Sequence, residues 1–229
     1  ESLIRHGQLA KEIIDIAPES AFGYISLAWY HWRLAVMGES TEGYFEKAFN
    51  LAQRAHSIEP SSMSHMLLGT IYLFMRKYER AIVHGEQSVK LDPNGADAHA
   101  LLGHTLNFAG KLDEALNHIR QGIRLNPSPD YWNFIFLGLC HRQRGEYEKA
   151  LAAFKKAFQV NPEDKEIHAY LTATYSLLGR HKEAEAEAQK VLEYYPDISV
   201  EHVLKRLPYK NQTYIELLAD ALKKAGLPD

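Results

Sequence analysis

The sequence holds one cysteine, Cys140, so an internal disulfide framework is excluded, and a lone thiol in an apolar stretch suits a reducing, cytoplasmic setting. No apolar run approaches the roughly 18 residues that a membrane-spanning helix needs, and no signal-peptide pattern opens the chain. A membrane partner is therefore not expected. Charge of one sign is also missing: 26 Lys and Arg stand against 29 Asp and Glu, a net charge of -3, and the basic residues are dispersed. That excludes the basic patch on which nucleic acid or anionic lipid would dock. The 12 histidines form no H-x3-H, H-E-x2-H or Cys/His cluster with zinc spacing. A Gly-rich phosphate loop, a G-x-S-x-G elbow and any signature of a nucleophile with its base are absent as well. No metal, no cofactor and no catalysis are expected of these residues. The sequon Asn211-Gln212-Thr213 carries no meaning in a cytoplasmic chain. Glu1 rather than Met stands first, which reads as a fragment of a longer protein.

What the chain has is a period. After a longer first step from Pro18 to Pro60, the prolines Pro60, Pro93, Pro127, Pro162 and Pro196 recur every ~34 residues. The clearest unit runs from Tyr131 to Pro162. In its first half Phe134, Leu137, Gly138 and His141 recur every three or four residues, so they share one side of a helix. Gly145 suits the left-handed residue that ends this helix. Ala150, Phe154 and Ala157 make the matching stripe of a second helix, small-large-small, so that two backbones approach while one ring fills the gap. Pro162 stops it.

Leu137-Gly138, Ala150, Phe154 and Pro162 stand at the separations of the tetratricopeptide (TPR) pattern W-x2-L-G-x2-Y…A-x3-F…P, with Phe134 in place of Trp and His141 in place of Tyr. The unit resembles a TPR hairpin. That resemblance implies an all-α, right-handed α-solenoid of helix-turn-helix hairpins over residues 1–197, with capping helices over 198–229. Residues 1–18 read as a partial repeat, a second helix whose partner lies upstream. Residues 21–61 read as a long repeat, and 62–95, 96–129, 131–164 and 165–197 as regular ones.

In the long repeat, Ala28 and Ala48 stand further apart than the equivalent Gly138 and Ala150, by about two helical turns inserted around 34–44. Either both helices are about one turn longer, or a loop carrying Gly38, Ser40, Thr41 and Gly43 protrudes. In the next repeat Arg76 replaces the turn glycine and Gly85 stands where the large residue belongs. A neighbouring side chain is expected to fill the space at Gly85. His65, His99 and His168 share one repeat position and His84 and His118 another, as stacked copies produce. Ser199 reads as an N-cap for a short helix, and an amphipathic helix follows from about Gln212 to Lys224.

The inner face of the first helices lines the concave groove in TPR arrays. Positions three, four and seven apart on the side away from the second helix give Phe22, Ile25, Trp29 and Trp32, then Met63, Met66 and Phe74, then His104, Asn107 and Phe108, then Trp132 and Arg142. Such a face holds an amphipathic helix or extended peptide, with Trp and Arg as common anchors. The expected partner is thus a protein or peptide. A chaperone-tail clamp is not expected, since its Lys, Asn and Arg cluster is missing here. The alternative for Trp29, Trp32 and Phe74 is packing within the fold. A purely structural role, with the array forming a homodimer or spacing other domains, is also open.

The long aromatic repeat FGYISLAWYHWRLAVMGES, the repeat ending LLGRHKEAEAEAQKVLEYYP, and the tail with LPYK and LKKAGLPD together resemble the C-terminal TPR region of bacterial class III adenylate/guanylate cyclase-like proteins. Similar arrays follow DNA-binding domains in some bacterial transcription regulators. The cyclase resemblance implies a regulatory role in signalling, with purine-nucleotide chemistry and metal-binding aspartates upstream of Glu1.

Overall fold

The computed structural model describes residues 2–37 and 42–229. Among the described residues there are thirteen helices and no strand: α1 (Ser2–Ile16), α2 (Ala21–Met37), α3 (Glu42–Ile58), α4 (Ser62–Phe74), α5 (Tyr78–Leu91), α6 (Ala96–Phe108), α7 (Leu112–Leu125), α8 (Tyr131–Gln143), α9 (Tyr147–Val160), α10 (Ile167–Leu177), α11 (His181–Tyr194), α12 (Val200–Lys205) and α13 (Gln212–Lys224). They form two compact units, Glu1–Thr105 and Leu106–Asp229.

Each unit stacks helical hairpins. In the first, α2 pairs with α3 and α4 with α5, while α1 packs on α2, and α4 touches both α3 and α2. In the second, α8 pairs with α9 and α10 with α11, α7 packs on α8, and α13 lies on α10 and α12. Helices α2 and α3 run 17 residues each, against 13 and 14 in α4 and α5, so each is about one turn longer. Gly43 falls inside α3. Gly38, Ser40 and Thr41 lie outside the described residues.

The hairpin turns are copies of one another. Arg76, Gly110, Gly145 and Gly179 take φ of 57°, 86°, 77° and 72°, and they recur at the same interval as the prolines. One residue later the amides of Lys77, Lys111, Glu146 and Arg180 each donate to a carbonyl five residues back, all at 2.9 Å. These bonds satisfy helix-end carbonyls that the ladder leaves free. Arg76 holds the same geometry with a Cβ, at a steric cost that glycine avoids.

Helix pairs close on small residues. A Cβ on Gly138 would come within 2.5 Å of the Phe154 ring, which is fully buried against it. At Gly85 a Cβ would meet Leu102 at 2.8 Å, so a side chain from α6 fills the space that the missing large residue leaves. Asn211, the sequon residue, caps α13 by accepting from the Tyr214 amide at 3.2 Å, and Ser199 caps α12 by accepting from the His202 amide at 3.1 Å.

Candidate functional sites on the two units

In the first unit the aromatic face of α2 and α4 divides in two. Phe22 opens α2 and is 54% exposed, and Met63 opens α4 at 43%. Two turns past Phe22, the half-buried Trp29 and Trp32 meet edge to face at 5.3 Å. Trp32 also packs edge to face on Phe74 at 5.4 Å, and Phe74 stacks on Phe45 of α3 at 6.4 Å. Ile25 is buried. Met66 and His104 are half-buried, and burial pulls the His104 pKa down to about 3, leaving a neutral imidazole.

The repeated histidines make contacts of their own. His65 and His84 bring their Nδ1 atoms within 2.9 Å of each other, and His56 packs on His65 with ring centroids 4.6 Å apart. Burial, then the charges of His65 and His56, lowers the His84 pKa to about 4. At the corresponding place in the second unit His168 bonds Glu187 at 2.6 Å. Among the described residues no three His, Cys, Asp or Glu side chains stand where they could share a metal ion.

In the second unit two of the expected groove positions, Phe108 and Arg142, are covered by the end of the chain. Phe108 is 1% exposed, and the ring of Tyr209 lies on it with centroids 4.4 Å apart. The Lys210 amide donates to the Phe108 carbonyl at 2.9 Å. Arg142, 2% exposed, donates from Nε to the Tyr214 hydroxyl at 3.0 Å and from Nη1 to the Tyr170 carbonyl at 3.3 Å. Its guanidinium lies over Phe154 and Tyr170 at 5.5 and 5.9 Å. Arg142 is thus held inside the fold by Tyr214 and Tyr170. Asn107 is fully buried, and neither its Oδ1 nor its Nδ2 has a hydrogen-bond partner among the described residues. Trp132 is half-buried, 5.2 Å from Phe136.

Sequence reasoning missed Tyr209, Tyr214 and Tyr170. The stretch Leu207-Pro208-Tyr209-Lys210 stands out as a break in the repeat, but nothing in it says which helix it returns to.

A family profile described as a tetratricopeptide repeat matches residues 72–135 and 141–207. No curated protein matches the sequence. Among solved structures, a thermophilic TPR protein of Thermus thermophilus superposes with a TM-score of 0.62 at 23% identity, covering 86% of this chain and 99% of that one. MamA superposes with a TM-score of 0.52 at 25% identity, covering 67% and 90%. YrrB, described as a TPR protein with an unusual peptide-binding site, gives 0.50 at 20%, covering 82% and 93%. Likeness at these identities speaks for the fold. Among the described residues no helix is long and apolar enough to cross a membrane.

Proposed function

The chain belongs to the tetratricopeptide repeat family, and from that premise we propose that it is a non-catalytic scaffold whose first unit binds a peptide or amphipathic helix of a partner protein. One observation carries the reading. Phe22 and Met63, on two first helices that touch, expose large apolar side chains beside the half-buried Trp29 and Trp32. Exposed apolar groups next to rigid aromatics are what a partner's apolar stripe buries at an interface.

The test replaces both exposed groups with aspartate. Phe22→Asp with Met63→Asp should abolish retention of the partner that wild type enriches, with helicity and melting temperature unchanged. Val83→Asp, at an equally exposed apolar residue of α5, should retain it. Retention by the double variant would overturn the proposal. Light scattering separates the scaffold from a dimerisation module: a dimer insensitive to these substitutions belongs to the second reading. The finer assignment, regulation of a nucleotide cyclase in a bacterial signalling protein, rests on the resemblance of the repeats and tail. Deleting residues 1–229 from such a protein should alter its cyclic-nucleotide output.

A further inference from the structure

The inner face of the second unit bears a column of polar side chains. Asn107 on α6, Arg142 on α8 and Ser176 on α10 occupy one position in successive repeats. All three are buried, at 0%, 2% and 9% exposure. Among the described residues, both amide atoms of Asn107, the Ser176 hydroxyl and the Oε1 of neighbouring Gln143 have no hydrogen-bond partner. Buried polar groups are normally paired, and so many unpaired ones on one face mark a surface shaped for a ligand that brings donors and acceptors.

What lies on part of this face behaves like such a ligand, though an imperfect one. Residues 207–214 reach Phe108 and Arg142 through two tyrosines, Tyr209 and Tyr214, whose rings meet at 4.9 Å. One main-chain bond, from the Lys210 amide to the Phe108 carbonyl, fixes the register. The Asn107 amide, one residue away, gains nothing from it.

We propose that residues 207–218, the stretch before α13 and its first turns, are a resident ligand of the second unit, and that the partner this groove takes is a tyrosine-bearing peptide that pairs with Asn107 and displaces the segment. This extends the proposed function to a second, closed site; it does not depend on the aromatic face of α2 and α4. The segment competes from within the same chain, so the closed state excludes weak ligands.

The test uses the full chain and a labelled peptide of residues 207–218, LPYKNQTYIELL. Wild type should bind it weakly. Tyr209→Ala with Tyr214→Phe, which loosens the resident copy, should bind at least tenfold more tightly. Tyr214→Phe alone removes one hydroxyl and should bind about threefold more tightly, so the question stays decidable where the double variant unfolds. Peptide binding should speed hydrogen exchange at the Lys210 amide. Equal affinity of wild type and Tyr214→Phe, or a Lys210 amide still protected at saturating peptide, would overturn the proposal and leave the segment a permanent cap. Loss of partner capture at Phe22 and Met63 would leave this result unchanged.

Discussion

Replacing Gly138 with alanine tests the packing of the second unit at its tightest point. A Cβ there would stand 2.5 to 2.7 Å from three atoms of the Phe154 ring, where ordinary contacts lie at 3.4–4 Å. The ring must therefore retreat by about 1 Å, and it has nowhere to go. It is fully buried, Tyr170 stacks on it at 5.4 Å, and the Arg142 guanidinium lies over it. Overpacking costs about 1–3 kcal/mol, and a ring enclosed on both faces stands in the upper part of that range, at about 2–3 kcal/mol. Alanine recovers about 1 kcal/mol of helix propensity over glycine, which leaves a net loss of about 1–2 kcal/mol. For a chain of this size that lowers the melting temperature by roughly 2–8 °C. Gly69 holds the same repeat position in α4 but faces the backbone of Ala81 and Gly85 at 3.2 and 3.4 Å. Its alanine variant should therefore lie within about 0.5 kcal/mol of wild type, because the propensity gain offsets a mild squeeze. Chemical denaturation followed by circular dichroism reads both. A second substitution, Phe154→Leu, should destabilise wild type by about 1–2 kcal/mol yet cost almost nothing on top of Gly138→Ala. A Gly138→Ala protein as stable as wild type, or strict additivity in that cycle, would refute the account.

At Arg76, φ is 57°, so Arg76→Gly should relieve left-handed strain and raise stability by about 0.5–1 kcal/mol, less the greater freedom of glycine in the unfolded chain; equilibrium unfolding checks it. His84 titrates at about 4 when folded against 6.5 ordinarily, so the unfolded chain takes its proton more readily. Its contribution is complete above pH 6.5 and is lost as pH falls toward 4. Discounted for its partial exposure, this is on the order of 1 kcal/mol between about pH 7 and 5. Melting curves across that range should flatten in His84→Gln. Burial pushes the Cys140 thiol up to about 11, and it donates to the Leu112 carbonyl at 3.5 Å. Native protein at about pH 8 should leave a thiol reagent unreacted, and denaturant should release one equivalent; fast labelling of the folded chain would count against that burial.

Much of the architecture is written locally. A repeat touches chiefly its neighbours, so the residues that hold it recur at one period and the pattern can be read along the chain. Gly110, Gly145 and Gly179 reveal their turns because a left-handed residue favours glycine, and Gly138 with Phe154 reveals a helix pair because only one of the two can be large. Arg76 keeps its turn although the sequence breaks the rule there, since the surrounding hydrogen bonds determine the conformation.

The face that meets a partner is less legible, because periodicity gives a side of a helix and says nothing of what else lies on that side. Phe22 and Ile25 share the expected face, yet Phe22 is exposed and Ile25 is buried. Arg142 reads as an anchor for a ligand because arginine is costly to bury without partners. Its partners come from Tyr170 and from Tyr214, two repeats further along the chain. The sequence alone determined the repeat, its turns and its helix pairs, all made of contacts close along the chain. Only the tertiary structure decided that the tail returns to Phe108 and Arg142, because that contact depends on shape and burial between distant segments that share no period.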